Sequence, residues 1–271
     1  MAIHLELIAT FADQMMKSRV NNSEDNILTV SSLKKAYSQD DVVLDGVSFS
    51  VPRGSVYGLI GPNGAGKSTL LRIINHIIVA DEGEVKMDGK AVTSELVRTS
   101  IGYLPEERGL YRDMEVGEQA MFFARLRGMS TDEAEKNVLE CFERLNICDW
   151  WYKRVKDLSK GMAQRVQFAI ATMHRPPLLI LDEPFSGCDP IATDLLRREI
   201  LWLRENGTTI LLSTHDMNIM EQICDRITLL SHGRVLLSGE VGQMRALTAE
   251  ADLTVNELIL KTIELDEQKH K

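Results

Sequence analysis

The sequence predicts an α/β fold with a parallel-sheet core and a helical insert. Three observations lead there. The run Leu178-Leu179-Ile180-Leu181, bounded by Pro176-Pro177 and Asp182, has the pattern of a strand buried on both faces. A helix near Ile191–Glu205 and a strand at Thr208–Leu212 follow it and complete a βαβ unit. Upstream, the strand Val56–Ile60 runs into a glycine-dense turn and then a helix.

The elements are justified in chain order. Leu5, Ile8, Ala12, Met15 and Met16 fall at helical spacing, so residues 1–20 read as an amphipathic helix. That helix is either a frayed extension or a docked one, and Asn21–Asn26 is a polar linker behind it. Ile27–Leu33 and Val42–Val51 alternate as strands, ahead of Val56–Ile60. Leu70, Leu71, Ile73, Ile74, Ile77 and Ile78 form the apolar face of the helix after the turn. Ile101–Leu104 is a further short strand, and Glu115–Thr172 is charged and helical. Within it, Thr131–Leu145 is amphipathic, with a cap expected at Thr131 and Glu135 nearby. Strands at Arg226–Leu230 and Arg234–Leu237 lead to a helical segment around Val255–Leu265.

Composition narrows the function. A chain of 271 residues makes one large or two small domains and needs no disulfide or metal staple. Lys+Arg 31 against Asp+Glu 40 gives a net charge of -9, which argues against nucleic acid as a partner. Cys141, Cys148, Cys188 and Cys224 form no CxxC pair, the pattern of idle thiols in a reducing compartment. No window reaches 18 consecutive apolar residues, and Glu6 and Asp13 interrupt the N-terminal apolar positions, so neither a span nor a secretory leader is expected. The expected location is cytoplasmic, with any membrane supplied by a partner.

The chemistry concentrates in the glycine-dense turn. Gly61-Pro62-Asn63-Gly64-Ala65-Gly66-Lys67-Ser68 matches G-x-x-x-x-G-K-[ST] in the strand–turn–helix setting that the motif requires. Its glycines let backbone N–H groups wrap phosphates, and the following helix aims its dipole at them. Lys67 supplies a point charge to the β- and γ-phosphates, and the Ser68 hydroxyl is suited to Mg²⁺. Thr69 completes the ATP-binding candidates. Asp182-Glu183, closing the apolar strand, offers one carboxylate to orient Mg²⁺ and one to polarise a water. Alone, such a pair is a solvated turn; beside a phosphate loop it reads as functional. His215, after the strand Thr208–Leu212, is either a polar filler or a group aimed at the same sheet edge.

Together with Leu158-Ser159-Lys160-Gly161-Met162-Ala163-Gln164-Arg165, which is similar to a signature loop, and Glu183-Pro184-Phe185-Ser186-Gly187-Cys188-Asp189-Pro190, which is similar to a D-loop region, these residues resemble the nucleotide-binding subunits of ABC transporters. The resemblance spans about Ile27–Gly239. It implies a P-loop NTPase (RecA-like) core with an antiparallel β subdomain and an inserted helical subdomain at about 105–175. Residues 1–26 would be an extension and 240–271 a C-terminal helical segment. It further implies that Tyr37 stacks on adenine, that Glu183 is general base, and that His215 contacts the γ-phosphate. A second cassette would face this one head to tail, with Ser159 and Gly161 reaching the nucleotide on the opposite subunit and Asp189 linking the two sites. An integral membrane permease would read the closure, holding the cassette on the cytoplasmic face.

The sequence departs from the family pattern in places. Glu106, after Ile101–Leu104, stands where glutamine is usual; it can ligate Mg²⁺ but cannot donate an amide hydrogen bond. Lys160 and Met162 replace the commoner glycine and glutamine, and Cys188 a leucine. Lys160 either adds charge near the partner's ATP or points to solvent. These variants look like the exporter-type branch that includes sodium, drug and polysaccharide efflux ATPases. The rival readings are an importer ATPase and a soluble ABC-type ATPase. Against the last stand the single cassette and the short Glu115–Thr172 segment.

Overall fold

The structure, a computed structural model, describes residues 25–38, 41–107, 109–250 and 253–269. Along the chain the elements are β1 (Asn26–Ser38), β2 (Asp41–Pro52), β3 (Val56–Ile60), α1 (Lys67–Ile74), β4 (Glu82–Met87), β5 (Lys90–Ala91), α2 (Ser94–Ser100) and β6 (Ile101–Leu104). They continue with α3 (Val116–Leu126), α4 (Thr131–Arg144), α5 (Lys160–Thr172), β7 (Leu178–Asp182), α6 (Pro190–Glu205) and β8 (Thr209–Ser213). The last elements are α7 (Met217–Ile223), β9 (Arg226–Ser231), β10 (Arg234–Glu240), α8 (Val241–Glu250) and α9 (Val255–Lys269). The expected N-terminal helix and most of the polar linker lie outside the described residues; Asn26, read as linker, opens β1. The chain forms two compact units, one from the segments up to Val92 and from Ser213 onward, the other from Thr93–Leu212.

In the first unit, β2-β1-β4-β5 form an antiparallel sheet. β1 outruns the expected Leu33 because its register slips between Val30 and Leu33, where Ser32 takes φ 48 and donates its N–H to Ser48 Oγ at 2.7 Å. Beyond that slip, Lys34 and Lys35 break the apolar alternation yet pair with Glu82 and Asp81, each at 2.8 Å. A second group of strands, β10-β9-β3, joins an antiparallel pair to a parallel one. All of β3 is buried, and its Tyr57 hydroxyl lies 2.6 Å from Thr228 Oγ1. α1 buries Leu70, Leu71, Ile73 and Ile74, each contributing on the order of 1.5–3 kcal/mol by burial. The C-terminal segment is two helices where sequence shows one, because α8 carries little apolar periodicity. In α9, Val255, Leu258 and Ile259 are buried, and buried Asp266 accepts a hydrogen bond from Ser231 Oγ of β9 at 2.7 Å.

In the second unit, the strand order is β8-β7-β6, with β6 and β7 parallel from Ile101↔Leu178 to Leu104↔Leu181. α2 has no buried residue, which is why no amphipathic signal marks it. A capping box of Glu115 and Glu118 starts α3. The α4 cap is Ser130, whose Oγ accepts the Glu133 N–H; Thr131 is already helical, and its hydroxyl accepts from Arg125 instead. Between α4 and α6, Arg144 bonds Glu199 at 2.8 Å and lies 4.0 Å from the Trp202 ring centroid. Burial raises the Glu199 pKa, and the bond to Arg144 opposes that rise. No helix among the described residues is long and apolar enough to cross a membrane.

His174, after α5, makes this unit sensitive to acid. Burial first, and then the nearby Arg127 guanidinium, lower its pKa from 6.5 to about 4. Between those values the unfolded chain carries a proton on His174 that the folded chain lacks. Stability is therefore full above 6.5 and falls as pH drops toward 4, by at most about 1.4 kcal/mol per pH unit. Urea unfolding of wild type and His174→Phe across this window checks it. The variant is expected to show a flatter profile, and parallel profiles would show that His174 is not responsible.

Candidate functional site

The phosphate loop is built within the first unit. β3 ends at Ile60, and the chain turns through Gly61–Gly66 into α1. Gly61 has φ 152, and a Cβ there would stand 2.1 Å from the Leu230 carbonyl oxygen, so only glycine lets the turn press against β9. From the outer side, Gly233 N–H donates to Ala65 O at 3.2 Å and Asp45 N–H to Gly233 O at 2.9 Å, so the β9–β10 turn backs the loop. Gly66, left-handed at φ 100, is the N-cap of α1 and provides no side-chain cap bond. The first-turn N–H groups at Lys67, Ser68 and Thr69 have no preceding helical turn to donate into, and the helix dipole adds positive potential there. An anion is the natural acceptor for such a group of donors.

Lys67 is buried, and its Nζ donates to Gly61 O at 2.8 Å and Pro62 O at 3.1 Å. The ammonium is thus held over the turn rather than extended into solvent. Asn63 and Gly64 are exposed at the crest, Ala65 is buried, and Pro62, Ser68 and Thr69 are half-buried. Tyr37, on β1, is 55% exposed, with Lys35 Nζ 5.9 Å from its ring centroid. An open aromatic face beside a cation is compatible with stacking on a base. His215 is exposed between Thr214, whose Oγ1 accepts the Asp216 N–H at 3.1 Å, and Asp216, which caps α7. That double fastening fixes the backbone on both sides of the imidazole.

The acidic residues belong to the second unit. Asp182 closes β7 and is 2% exposed. Glu183 follows with φ 49, a left-handed conformation that costs a non-glycine residue about 1–3 kcal/mol. It is held there by its neighbours: Ser186 N–H donates to Glu183 O at 3.0 Å, and Gln164 Nε2 donates to Pro184 O at 2.9 Å. Exposed Asp189 caps α6 by accepting the Ala192 N–H at 2.8 Å, ahead of Pro190. Burial, and next the Asp189 charge, push the Cys188 thiol pKa up, so the cysteine that stands for leucine is a neutral side chain.

Ser159 caps α5 through its Oγ, which accepts the Met162 N–H at 3.3 Å, and Gly161 lies in the first turn. Lys160 is exposed, and its stem crosses the bare backbone of Gly187, where a Cβ would stand 2.3 Å from Lys160 Cδ and Cε. The segments Leu158–Arg165 and Glu183–Pro190 therefore touch directly. Glu106 is exposed on the loop after β6, and Gln167 Nε2 donates to Pro105 O at 3.3 Å and Glu107 O at 3.2 Å. Sequence reasoning placed Gln164 within the signature-like segment without a role of its own and passed over Gln167. Their signal is two glutamines three apart among the apolar positions Ala163, Val166 and Phe168 of the helix.

Comparison with known proteins is consistent across sequence and structure. The family profile described as "ABC transporter" matches residues 44–186, and a profile of an AAA domain matches residues 154–221. An uncharacterized ABC transporter ATP-binding protein of Bacillus subtilis is 38% identical over 230 residues, 85% of this chain and 76% of that protein. The linearmycin resistance ATP-binding protein LnrL of the same organism is 34% identical, over 79% of this chain and 69% of that protein. A Nod factor export ATP-binding protein I of a Rhizobium species is 38% identical, over 78% and 70%. Among solved structures, an ATP-binding subunit of an ABC transporter superposes with TM-score 0.80 at 31% identity, over 87% of this chain and 99% of that one. A dimeric ATP-binding cassette in a post-hydrolysis state, bound to ADP and Pi, superposes with TM-score 0.73 at 25% identity, over 79% and 98%.

Proposed function

We propose that this chain, which belongs to the ABC transporter family as an ATP-binding, ATP-hydrolysing subunit, energises a separate membrane permease that exports its substrate. The observation that carries the ATPase part of the reading is the Gly61–Gly66 turn at the N-terminus of α1 with the Lys67 ammonium held over it. Two relatives support export, since their names describe resistance to linearmycin and export of Nod factor. In this reading residues 27–239 are the cassette, with its helical insert at about 105–175, an extension at 1–26 and a helical tail at 240–271.

The phosphates of ATP take the first-turn donors of α1 and the Lys67 ammonium, across the turn formed by Gly61, Pro62, Asn63, Gly64, Ala65 and Gly66, with Thr69 behind Ser68 and Tyr37 on the adenine. Ser68 in the first unit, and Asp182 and Glu106 in the second, each carry an oxygen donor of the kind that a hard divalent cation takes, and Mg²⁺ would offset charge on the β- and γ-phosphates. Glu183 accepts the proton of the attacking water as its oxygen bonds to the γ-phosphorus and the bond to ADP breaks. His215 contacts the γ-phosphate. Ser159 and Gly161 donate to the nucleotide of a second cassette, homo- or heteromeric, and Asp189 links the two sites. ATP favours the closed pair and hydrolysis removes that bias, which the permease at the cytoplasmic face of the membrane converts to a change of access side.

The test is co-purification. The tagged full chain, recovered from solubilised membranes, is expected to bring down an integral membrane protein and to hydrolyse ATP with Mg²⁺. In reconstituted vesicles the complex should carry its substrate away from the cassette side. Movement toward the cassette side would make it an importer, and recovery without any membrane protein would remove the permease.

A further inference from the structure

The loop that follows β6 is held at both ends by buried glutamines. At its start, Gln167 of α5, 5% exposed, donates one amide group to the carbonyls of the residues before and after Glu106, Pro105 O at 3.3 Å and Glu107 O at 3.2 Å. At its end, Gln119 of α3, fully buried, both accepts the Tyr111 N–H at 3.0 Å and donates to Tyr111 O at 3.2 Å. Between these clamps the Glu106 side chain is exposed. The bond to Pro105 O holds the peptide plane that enters Glu106, and the bond to Glu107 O holds the peptide one residue further on, so the backbone that carries the Glu106 side chain is tethered before and after it. Three residues before Gln167, and on the same face of α5, Gln164 fastens the turn after Glu183. One helix that begins at Ser159 therefore holds the backbone beside both carboxylates.

We propose that Gln167 is a positioning residue that aims Glu106 and couples it to the signature helix. The inference rests on the ATPase reading given above and deepens it. In this sequence Glu106 replaces an amide side chain by a carboxylate, which cannot donate a hydrogen bond. The amide donor on this side of the loop is supplied by Gln167, to the backbone. Displacement of α5 at its Ser159 end would then be felt at Glu106 through two hydrogen bonds and at Glu183 through one.

The test is a double-mutant cycle on the full chain, reading kcat and KM for Mg-ATP in wild type, Gln167→Met, Glu106→Ala and the pair. Methionine keeps the length and apolar bulk of the side chain and removes the donor. Gln167→Met is expected to lower kcat about tenfold with KM for ATP within about twofold, the size of effect that loss of an orienting partner has. In the Glu106→Ala background the same substitution should change kcat by less than about twofold, because the group it aims is gone. Equal losses in both backgrounds, or wild-type kcat in Gln167→Met, would overturn the proposal. Should the methionine variant not fold by thermal melting, Gln167→Glu, equal in length and without the amide donor, takes its place. A wild-type chain that does not hydrolyse ATP overturns the ATPase reading itself, an outcome separate from an additive cycle.

Discussion

Glu183→Gln should bind ATP as tightly as wild type while its hydrolysis falls about 10²- to 10⁴-fold, the range for loss of a general base. Glutamine is the informative replacement because Glu183 sits at φ 49. It keeps the length and shape of the side chain, and the turn held by the Pro184 and Ser186 contacts is left in place. Smaller residues would alter the base and the backbone together. With hydrolysis blocked, ATP continues to favour the closed pair of cassettes, so the variant should elute as a dimer in ATP and as a monomer without it. Calorimetric titration, phosphate release and size-exclusion chromatography read these outcomes separately. Hydrolysis at the wild-type rate would remove Glu183 from its role.

Lys67→Ala should lose nucleotide affinity. A charged hydrogen bond is worth about 1.5–3 kcal/mol, so ATP binding should weaken on the order of 10- to 100-fold. The change also deprives the Gly61 and Pro62 carbonyls of a donor, at 2.8 and 3.1 Å, which loosens the turn itself. Titration with ATP in the presence and absence of Mg²⁺ checks the first effect and a thermal melt the second. Unchanged affinity would count against the phosphate-loop assignment, whatever the melt shows.

What could be read from the sequence was whatever carried a strong local period or a dense motif. β7 is visible as four consecutive apolar residues because it is buried throughout, and the phosphate loop because its glycines are required by contacts such as Gly61 against Leu230. β4 and β5 were missed since most of their residues are exposed, and β4 pairs with β1, far away in the chain, while β5 pairs only with β4. α2 buries nothing, and α8 has no clear apolar stripe. The cap at Ser130 was displaced by one residue because Thr131 is an equally good capper by type and its hydroxyl is used by Arg125. Of the candidate site, residue identities were legible and their conformations were not. Nothing local marks Glu183 as left-handed, or Gln119 and Gln167 as clamps, since each depends on what tertiary packing brings beside it.

The bond between Asp266 and Ser231 bears on how the protein is handled and how it could diversify. The ABC transporter profile matches up to residue 186, and α9 is the last helix among the described residues. Yet α9 grips the end of β9, one residue before the turn whose Gly233 N–H supports Ala65. α9 is thus linked to the phosphate loop by two hydrogen bonds with the start of the β9–β10 turn between them. A purification tag or truncation placed at this end works on the foundation of the phosphate loop, and a tail altered in length or sequence is a dial that leaves the motif residues untouched.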